Sequence, residues 1–366
     1  GYGEAVEAEA PLVLLLGLDP AVAPRNLFHF TQLVLPAFSA RVRLGWRGGA
    51  GSGSGLLRPP PPFRYIVLAD PTNSTSLPWQ RGLLDLVLGD GGIAGGGVQI
   101  LNAAKRPRGV VPKLRCFRHL VVPGNGRKDR AVPSTGRADH AAFLLEAARH
   151  VRGLRGRILG SDVLVARRGA APGVASEAVA APVQSRTVRN EAAFLGSIRA
   201  AMRALTGRDA CAPMTPCLRM HGAVTDFAEQ VRLFAGSALL VGPSGAGFTN
   251  MIFMPPDSVV VVLQQVGTRD YYTSMAHGCG HYGIPFFAEC APDPLAGTHF
   301  ANVSARFCKD DDKCVKRIND LCAMVVDISV FLPVFVTAFS YAFRTSLAQP
   351  EFAAVRAVTA EVTAPQ

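Results

Sequence analysis

Apolar runs and polar breaks alternate along this chain with the spacing of strands and helices. Short apolar runs bounded by glycine, proline or polar residues predict buried strands. These runs lie at residues 10–18, 65–69, 115–122, 162–166, 238–241 and 259–263. Apolar positions with helical spacing predict helices between them. The predicted helices lie at residues 27–38, 83–88, 138–151, 191–205 and 227–234. Strands that alternate with helices indicate parallel sheets covered on both faces, so the predicted class is α/β.

The same alternation predicts two domains. A chain of 366 residues is long enough for two domains with separate cores. The strand and helix series restarts after a break near residues 151–157. We therefore expect one domain over residues 1–152, a second over residues 153–345, and a tail over residues 346–366, with a cleft between two α/β layers.

Residues 237–264 form the most informative segment, SALLVGPSGAGFTNMIFMPPDSVVVVLQ. The pattern predicts a glycine-rich loop at residues 242–247 and a short helix at residues 248–253, between two buried strands. Such a turn brings backbone N–H groups and a helix N-terminus to one point, which suits a phosphate. A turn of this kind can also serve only to allow close packing. The loop is neither a Walker loop nor a dinucleotide fingerprint.

The charge balance would suit an acidic partner, although a coding bias is the preferred explanation of most of it. The net charge is +11, from 38 basic and 27 acidic residues, and only six of the basic residues are Lys. A sugar nucleotide, an acidic polysaccharide or a nucleic acid would all fit this charge. A coding bias toward Arg, Ala and Gly also explains the Arg excess. No basic patch is interleaved with aromatic residues, so nucleic acid is not an expected partner.

Cysteine usage indicates an oxidising compartment. The chain has eight Cys residues, and the pairs Cys211/Cys217 and Cys308/Cys314 share one spacing. That spacing predicts small disulfide loops better than zinc knuckles. Two glycosylation sequons begin at Asn73 and Asn302 and fit the same compartment.

One apolar stretch, at residues 321–343, is long enough to span a bilayer. Asp327 and Pro333 interrupt it, so a buried helix is predicted and a membrane span is the alternative.

Two short segments contain residue types that bind metals. His277, Cys279 and His281 would share one side of an extended segment, but no fourth ligand is evident. The acidic run at residues 310–312 is flanked by Lys and predicts an exposed loop. We expect no obligatory metal and no other cofactor.

Several segments, in order along the chain, resemble glycosyltransferase family 61. The loop and its exit resemble the family signature His-Gly-Ala-Gly-Leu-Thr-Asn followed by Phe-x-Pro-Pro. Matching stretches upstream resemble its Phe-x-Glu-Gln-Val, Ser-Arg-Arg, Arg-x-Ile-x-Asn-Glu and Asn-Leu-Phe-His patterns. The residues that carry the resemblance are Ser244-Gly245-Ala246-Gly247-Phe248-Thr249-Asn250, Phe253-Met254-Pro255-Pro256, Phe227-Ala228-Glu229-Gln230-Val231, Arg167-Arg168, Arg186-Thr187-Val188-Arg189-Asn190-Glu191, Cys116-Phe117-Arg118-His119, Leu35-Pro36-Ala37-Phe38 and Asn26-Leu27-Phe28-His29.

The resemblance implies a fold and an activity. It implies a GT-B architecture of two Rossmann-like domains, with the acceptor on the N-terminal side and the nucleotide mainly on the C-terminal domain. It implies an inverting glycosyltransferase that moves a sugar from UDP-xylose, UDP-arabinose or UDP-GlcNAc to a glycan or glycoprotein hydroxyl. It also implies the lumen of the Golgi or endoplasmic reticulum. We expect a type II membrane protein whose N-terminal anchor lies outside this sequence.

Carried over residue by residue, the resemblance also implies a site. Arg186 and His29 are the candidate catalytic residues, with His29 as a possible general base. Glu229 and Gln230 are expected to support the loop. The residues expected to bind the nucleotide sugar are Arg167, Arg168, Arg186, Asn190, Ser244, Gly245, Ala246, Gly247, Phe248, Thr249 and Asn250.

The chain departs from the family pattern at two places. Ser244 stands where the family has His, and a Ser hydroxyl cannot share charge with a phosphate as a protonated His can. Phe30 and Gln32 replace the acids that follow the N-terminal His in plant-type members. The alternative function is therefore a related protein that binds nucleotide or glycan without catalysis. A polyanion-binding surface protein is a further alternative, which rests on the net charge.

Overall fold

The computed structural model describes 12–16, 34–35, 38–39, 63–68, 78–88, 99–102, 119–121, 137–151, 160–167, 187–209, 211, 216–221, 226–266, 268, 270–291, 308 and 311–343. The chain divides into two compact units. The first comprises Gly1–Arg155 with Thr225–Ala228, and the second comprises Gly156–Val224 with Glu229–Gln366. Both are mixed α/β, as the alternation of apolar runs predicts.

The first unit contains a parallel four-stranded sheet in the order β3-β2-β1-β4. A parallel sheet needs helices to cover its faces. Leu83 and Val87 of its first helix and Phe143 of its second are fully buried, and Phe143 meets Phe38 edge to face. The strands are β1 (Leu12–Leu16), β2 (Phe63–Leu68), β3 (Gln99–Asn102) and β4 (His119–Val121), and the helices are α1 (Pro78–Leu88) and α2 (Arg137–His150).

The second unit contains a six-stranded sheet in the order β10-β9-β8-β7-β5-β6. Its strands are parallel except β10, which runs antiparallel to β9. The strands are β5 (Asp162–Ala166), β6 (Leu218–His221), β7 (Ser237–Pro243), β8 (Val259–Gln265), β9 (Tyr282–Cys290) and β10 (Met324–Val325). The helices of this part of the chain are α3 (Glu191–Thr206), α4 (Phe227–Ala235), α5 (Tyr271–Gly278), α6 (Asp312–Leu321) and α7 (Ile328–Phe343).

Strands β7 and β8 lie in the middle of this sheet, and every residue of both is buried. Alternate residues of these strands, such as Leu239 and Val261, pack into one cluster with apolar residues of α3 and α7. Because both faces of a central strand are covered, the loops at its ends are the parts of the strand–loop–helix units that ligands can reach.

Helix α7 confirms the predicted buried helix. Its apolar side buries Phe331, Phe335 and Phe339 in the core of the second unit. The helix begins at Ile328 and not at residue 321, because the Asp327 carboxylate accepts hydrogen bonds from the backbone N–H groups of the first turn. Within the described residues, no helix combines the length and apolar character needed to cross a membrane.

Three disulfides join cysteines of the second unit. Cys211–Cys217 and Cys308–Cys314 confirm the two predicted loops. The third joins β9 to the end of α6 and was not predicted, because a pairing across 32 residues cannot be deduced from spacing. It links Cys290 with Cys322.

The His277–His281 segment is not extended, so the condition under which its three side chains would share one side is not met. His277 lies in the last turn of α5 and is exposed, whereas His281 is buried and its Nε2 lies 3.0 Å from the carbonyl oxygen of Met251. The end of the acidic run also differs from the predicted loop, because the carboxylate of Asp311 caps α6.

Candidate functional site

The candidate site begins where β7 leaves the sheet. The strand runs to Pro243, one residue beyond the predicted start of the loop, because backbone pairing with β8 continues through this residue. The N–H of Ser244 still donates to the carbonyl oxygen of Leu263 at 2.9 Å. Gly242, with φ +154°, brings the backbone to within contact of β5, where any Cβ would lie 2.5 Å from the Ala166 carbonyl oxygen. The turn is therefore anchored to the strands on both sides.

The short helix predicted at residues 248–253 is a 3-10 helix, and it begins two residues earlier, at Ala246–Phe253. Phe248 N–H donates to the Gly245 carbonyl oxygen at 2.9 Å, which closes the first tight turn two residues early. The first N–H groups of a helix have no partners within that helix. Among the described residues, no backbone carbonyl accepts a hydrogen bond from the N–H groups of Gly245, Ala246 and Gly247. Gly245 is buried, Ala246 is half-buried and Gly247 is exposed.

A hydrogen bond between buried side chains joins this helix to α4. The Asn250 amide donates to Oε1 of Gln230 on α4 at 3.2 Å, and both side chains are buried. This contact is the one that a supporting role for Gln230 requires. Thr249 is fully buried and so does not reach solvent beside the turn, whereas Glu229 is exposed.

Two residues that were predicted to bind the nucleotide sugar form hydrogen bonds with other residues of the second unit. Arg167, which follows β5, forms a two-point ion pair with Glu191 at the start of α3, with distances of 2.7 Å from Nε to Oε1 and 2.5 Å from Nη2 to Oε2. This hydrogen bond raises the pKa of Arg167 further above its usual value. Asn190 uses both ends of its amide on the backbone of Val326, at 2.8 Å and 3.0 Å, and makes no side-chain cap on α3. A phosphate at Arg167 would have to use Nη1 or displace Glu191.

Three other predicted site residues, His29, Arg168 and Arg186, lie outside the described residues, as do both sequons.

His221 is a residue that the sequence analysis missed. It is the last residue of β6, at the carboxyl edge of the sheet, and it is 7% exposed. An ideal Cβ on Gly247 would lie 3.6 Å from its Nε2. Burial lowers its pKa to about 4, so the imidazole is neutral at physiological pH. The available signal was its position at the end of a strand, because open α/β sheets bind ligands there.

Two amides at the end of β8 were also missed. Gln264 donates to Oδ1 of Asp270 at 2.6 Å, while its own Oε1 is buried without a partner in the described part of the chain. Gln265 is fully buried, and neither of its amide atoms has a partner there. Their signal was also positional, because both residues end an apolar strand.

Metal binding finds no support among these contacts. The described residues contain no cluster of three or more His, Cys, Asp and Glu side chains that could hold an ion.

Comparison with known proteins identifies the family. Residues 27–261, more than half of the chain, match the family model described as Glycosyltransferase 61. The match includes β5 to β7, the turn after β7 and His221. Among proteins of curated function, none matches this chain. The family resemblance stated from the motifs is confirmed, and the chain belongs to glycosyltransferase family 61.

Proposed function

We propose that this glycosyltransferase is an inverting enzyme that transfers a sugar from a UDP-sugar to a hydroxyl of a glycan or glycoprotein. The donors to be tested are UDP-xylose, UDP-arabinose and UDP-GlcNAc. The two α/β units would form a GT-B pair with the nucleotide on the second unit, and no obligatory metal is needed. Membership of family 61 and three disulfides support a place in the secretory pathway.

The turn after β7 is the observation that carries this proposal. It lies at the carboxyl end of a central parallel strand, where α/β proteins bind nucleotides. Within the described part of the chain, its glycines have backbone N–H groups without a backbone acceptor near the start of a helix, and Gly247 is open to solvent. N–H groups converging at a helix N-terminus bind phosphate, and they require no metal to do so.

Each predicted residue then has a proposed role. The backbone N–H groups of Gly245 to Gly247 would hold the leaving diphosphate, because those of Ser244 and Phe248 already donate to backbone carbonyls. Thr249 and Asn250 would fix the helix behind it. Arg186 would add a bidentate contact, with Arg168 or Arg167 as the second choice. His29 is the proposed base for the acceptor hydroxyl.

A UDP-binding assay tests the turn. Gly245 has φ 172° and ψ 170°, an extended conformation that any residue adopts, so the backbone at this position is compatible with Val. The added side chain would occupy the approach to the N–H groups, and we expect UDP binding measured by calorimetry to be lost. Gly196→Ala is the matched control, because a Cβ there meets nothing within 4 Å. Unchanged UDP affinity in folded Gly245→Val would rule out the turn as the diphosphate site.

A second assay separates catalysis from binding. Release of UDP from the three donors is measured with acceptor glycans, together with thermal stabilisation by UDP. Turnover with any donor supports the enzyme. Stabilisation by UDP without turnover on any donor favours the alternative that Ser244 raises, a protein of this family that binds nucleotide without transferring sugar.

A further inference from the structure

Contacts with β5 and α4 fix the position of His221 at the end of β6. Its backbone pairs with Ala166 of β5, and its carbonyl oxygen accepts a hydrogen bond from Arg167 N–H at 2.8 Å. Its ring meets the ring of Phe234 on α4 edge to face, with centroids 5.0 Å apart. A side chain held in this way cannot change its direction without a shift of the sheet or of α4.

The ring of His221 reaches the turn after β7 at its exposed glycine. A Cβ added to Gly247 would lie 3.6 Å from Nε2 and 3.8 Å from Cδ2. Both are ordinary contact distances, so the imidazole edge lies directly beside the place where Gly247 lacks a side chain. A ligand atom seated on the Gly247 backbone would therefore be within reach of Nε2.

The environment of the ring favours one tautomer. Nδ1 is buried and has no hydrogen-bond partner among the described residues. A neutral imidazole carries one N–H, and an N–H buried without an acceptor is costly. The proton therefore belongs on Nε2, where it points toward the turn. Burial alone accounts for the lowered pKa of His221, which makes the ring a poor general base and leaves it as a hydrogen-bond donor.

We propose that His221 donates a hydrogen bond from Nε2 to a phosphate oxygen of the nucleotide held at the turn, beside Gly247. This inference rests on the proposed function of the turn. His221 would then be a ligand-contacting residue contributed by a strand that is separated from β7 by β5. The chemistry it recognises is a nucleoside diphosphate, and UDP is the probe.

The test compares two substitutions of the same residue. His221→Leu removes the donor and also a buried unpaired nitrogen, so it should fold. His221→Gln keeps a neutral N–H donor at a similar reach. A hydrogen bond to a charged group predicts that the Leu variant binds UDP roughly 10- to 100-fold more weakly, while the Gln variant stays within about fivefold of wild type. His277→Gln, on the exposed end of α5, is the matched histidine control.

The outcomes separate this inference from the proposed function. Equal UDP affinity in wild type and both His221 variants overturns the role of His221 alone. Equal weakening in the Leu and Gln variants also overturns it, because a ring needed only for packing is not rescued by an amide donor. No UDP binding by wild type overturns both proposals.

Gly247→Ala approaches the same contact from the other side. Its methyl group meets His221 at ordinary contact distance, so the variant should fold. The methyl group would occupy the phosphate position, and we expect UDP affinity to fall at least tenfold. Unchanged affinity in folded Gly247→Ala overturns the placement of the phosphate beside His221.

Discussion

Acid should destabilise the second unit through His221, and His221→Leu should remove that effect. His221 is 7% exposed, and burial lowers its pKa from 6.5 to about 4. Between these two values the unfolded chain holds a proton at this residue that the folded chain does not hold. Stability therefore falls as the pH falls from 6.5 toward 4, and above pH 6.5 the contribution is fully present.

The size of the effect follows from the two pKa values. A shift of about 2.5 units corresponds to about 3 kcal/mol at about 1.4 kcal/mol per unit. At pH 5 the folded form is still almost entirely neutral at His221, whereas the unfolded form is almost entirely protonated. About 2 kcal/mol of this stability should therefore already be lost at pH 5 relative to pH 8.

The assay compares wild type with His221→Leu at pH 8 and at pH 5. Other groups that titrate in acid, such as Asp327, whose pKa is lowered by its bond to Ser329, contribute equally to both proteins and cancel. Both Trp residues, 46 and 79, lie in the first unit, so their fluorescence does not follow His221. Hydrogen exchange of β7 and β8 reports the opening free energy of the second unit.

The expected result is a change in the difference between the unfolding free energies of the two proteins. On going from pH 8 to pH 5, His221→Leu should gain about 2 kcal/mol of stability relative to wild type. If that difference stays constant within about 0.5 kcal/mol between pH 8 and pH 5, the ring is protonated in the folded protein at pH 5. The tautomer argument for Nε2 would then fail with it.

Three further predictions concern the unfolding free energy of the second unit. Each is checked by urea unfolding, with hydrogen exchange of β7 and β8 as the measured signal. Gly242→Ala should cost about 2 kcal/mol or more, because its Cβ would lie 2.5 Å from a carbonyl oxygen of β5; a loss below about 0.5 kcal/mol would contradict the packing. Gly196→Ala on the exposed side of α3 should gain about 0.5–1 kcal/mol, whereas Gly207→Ala, at φ +67° after that helix, should lose about 1 kcal/mol; effects of the same sign would refute this pair. The double change Cys290→Ser and Cys322→Ser should lose about 3–4 kcal/mol from the freed loop, and an unchanged transition would mean that the unfolded chain is compact already.

The local parts of the fold could be predicted from sequence because their causes are local. Strand β5 was predicted with its observed bounds, because its apolar run defines it. Helix α3 was predicted to within one residue, because its apolar spacing and the Gly after its last turn define it. The short helix after the turn was predicted, but its 3-10 type was not, because its buried apolar residues fit either helix type. The choice is made by the short turn closed between Gly245 and Phe248, which the sequence does not reveal.

The candidate site was only partly predictable, because its contacts join distant residues. Asn190 was expected to bind the nucleotide sugar, and in the structure it holds the backbone of Val326, 136 residues away. Arg167 was expected at a phosphate, and Glu191 occupies its Nε and Nη2. Polar residues in a family motif can equally fasten the scaffold around a site, and only their hydrogen-bond partners distinguish the two roles.

His221 changes the argument that Ser244 raised. The resemblance to family 61 places an imidazole in the turn where this chain has a hydroxyl, and that difference favoured a protein without catalysis. In the structure an imidazole from β6 lies beside the same turn, 3.6 Å from the position of a Cβ on Gly247. Because burial keeps this ring neutral, it would offer a hydrogen bond but no positive charge to the diphosphate. Charge compensation would then fall to an arginine, so Arg186→Gln should reduce turnover more than His221→Gln does. Equal losses in the two variants would contradict this division of roles.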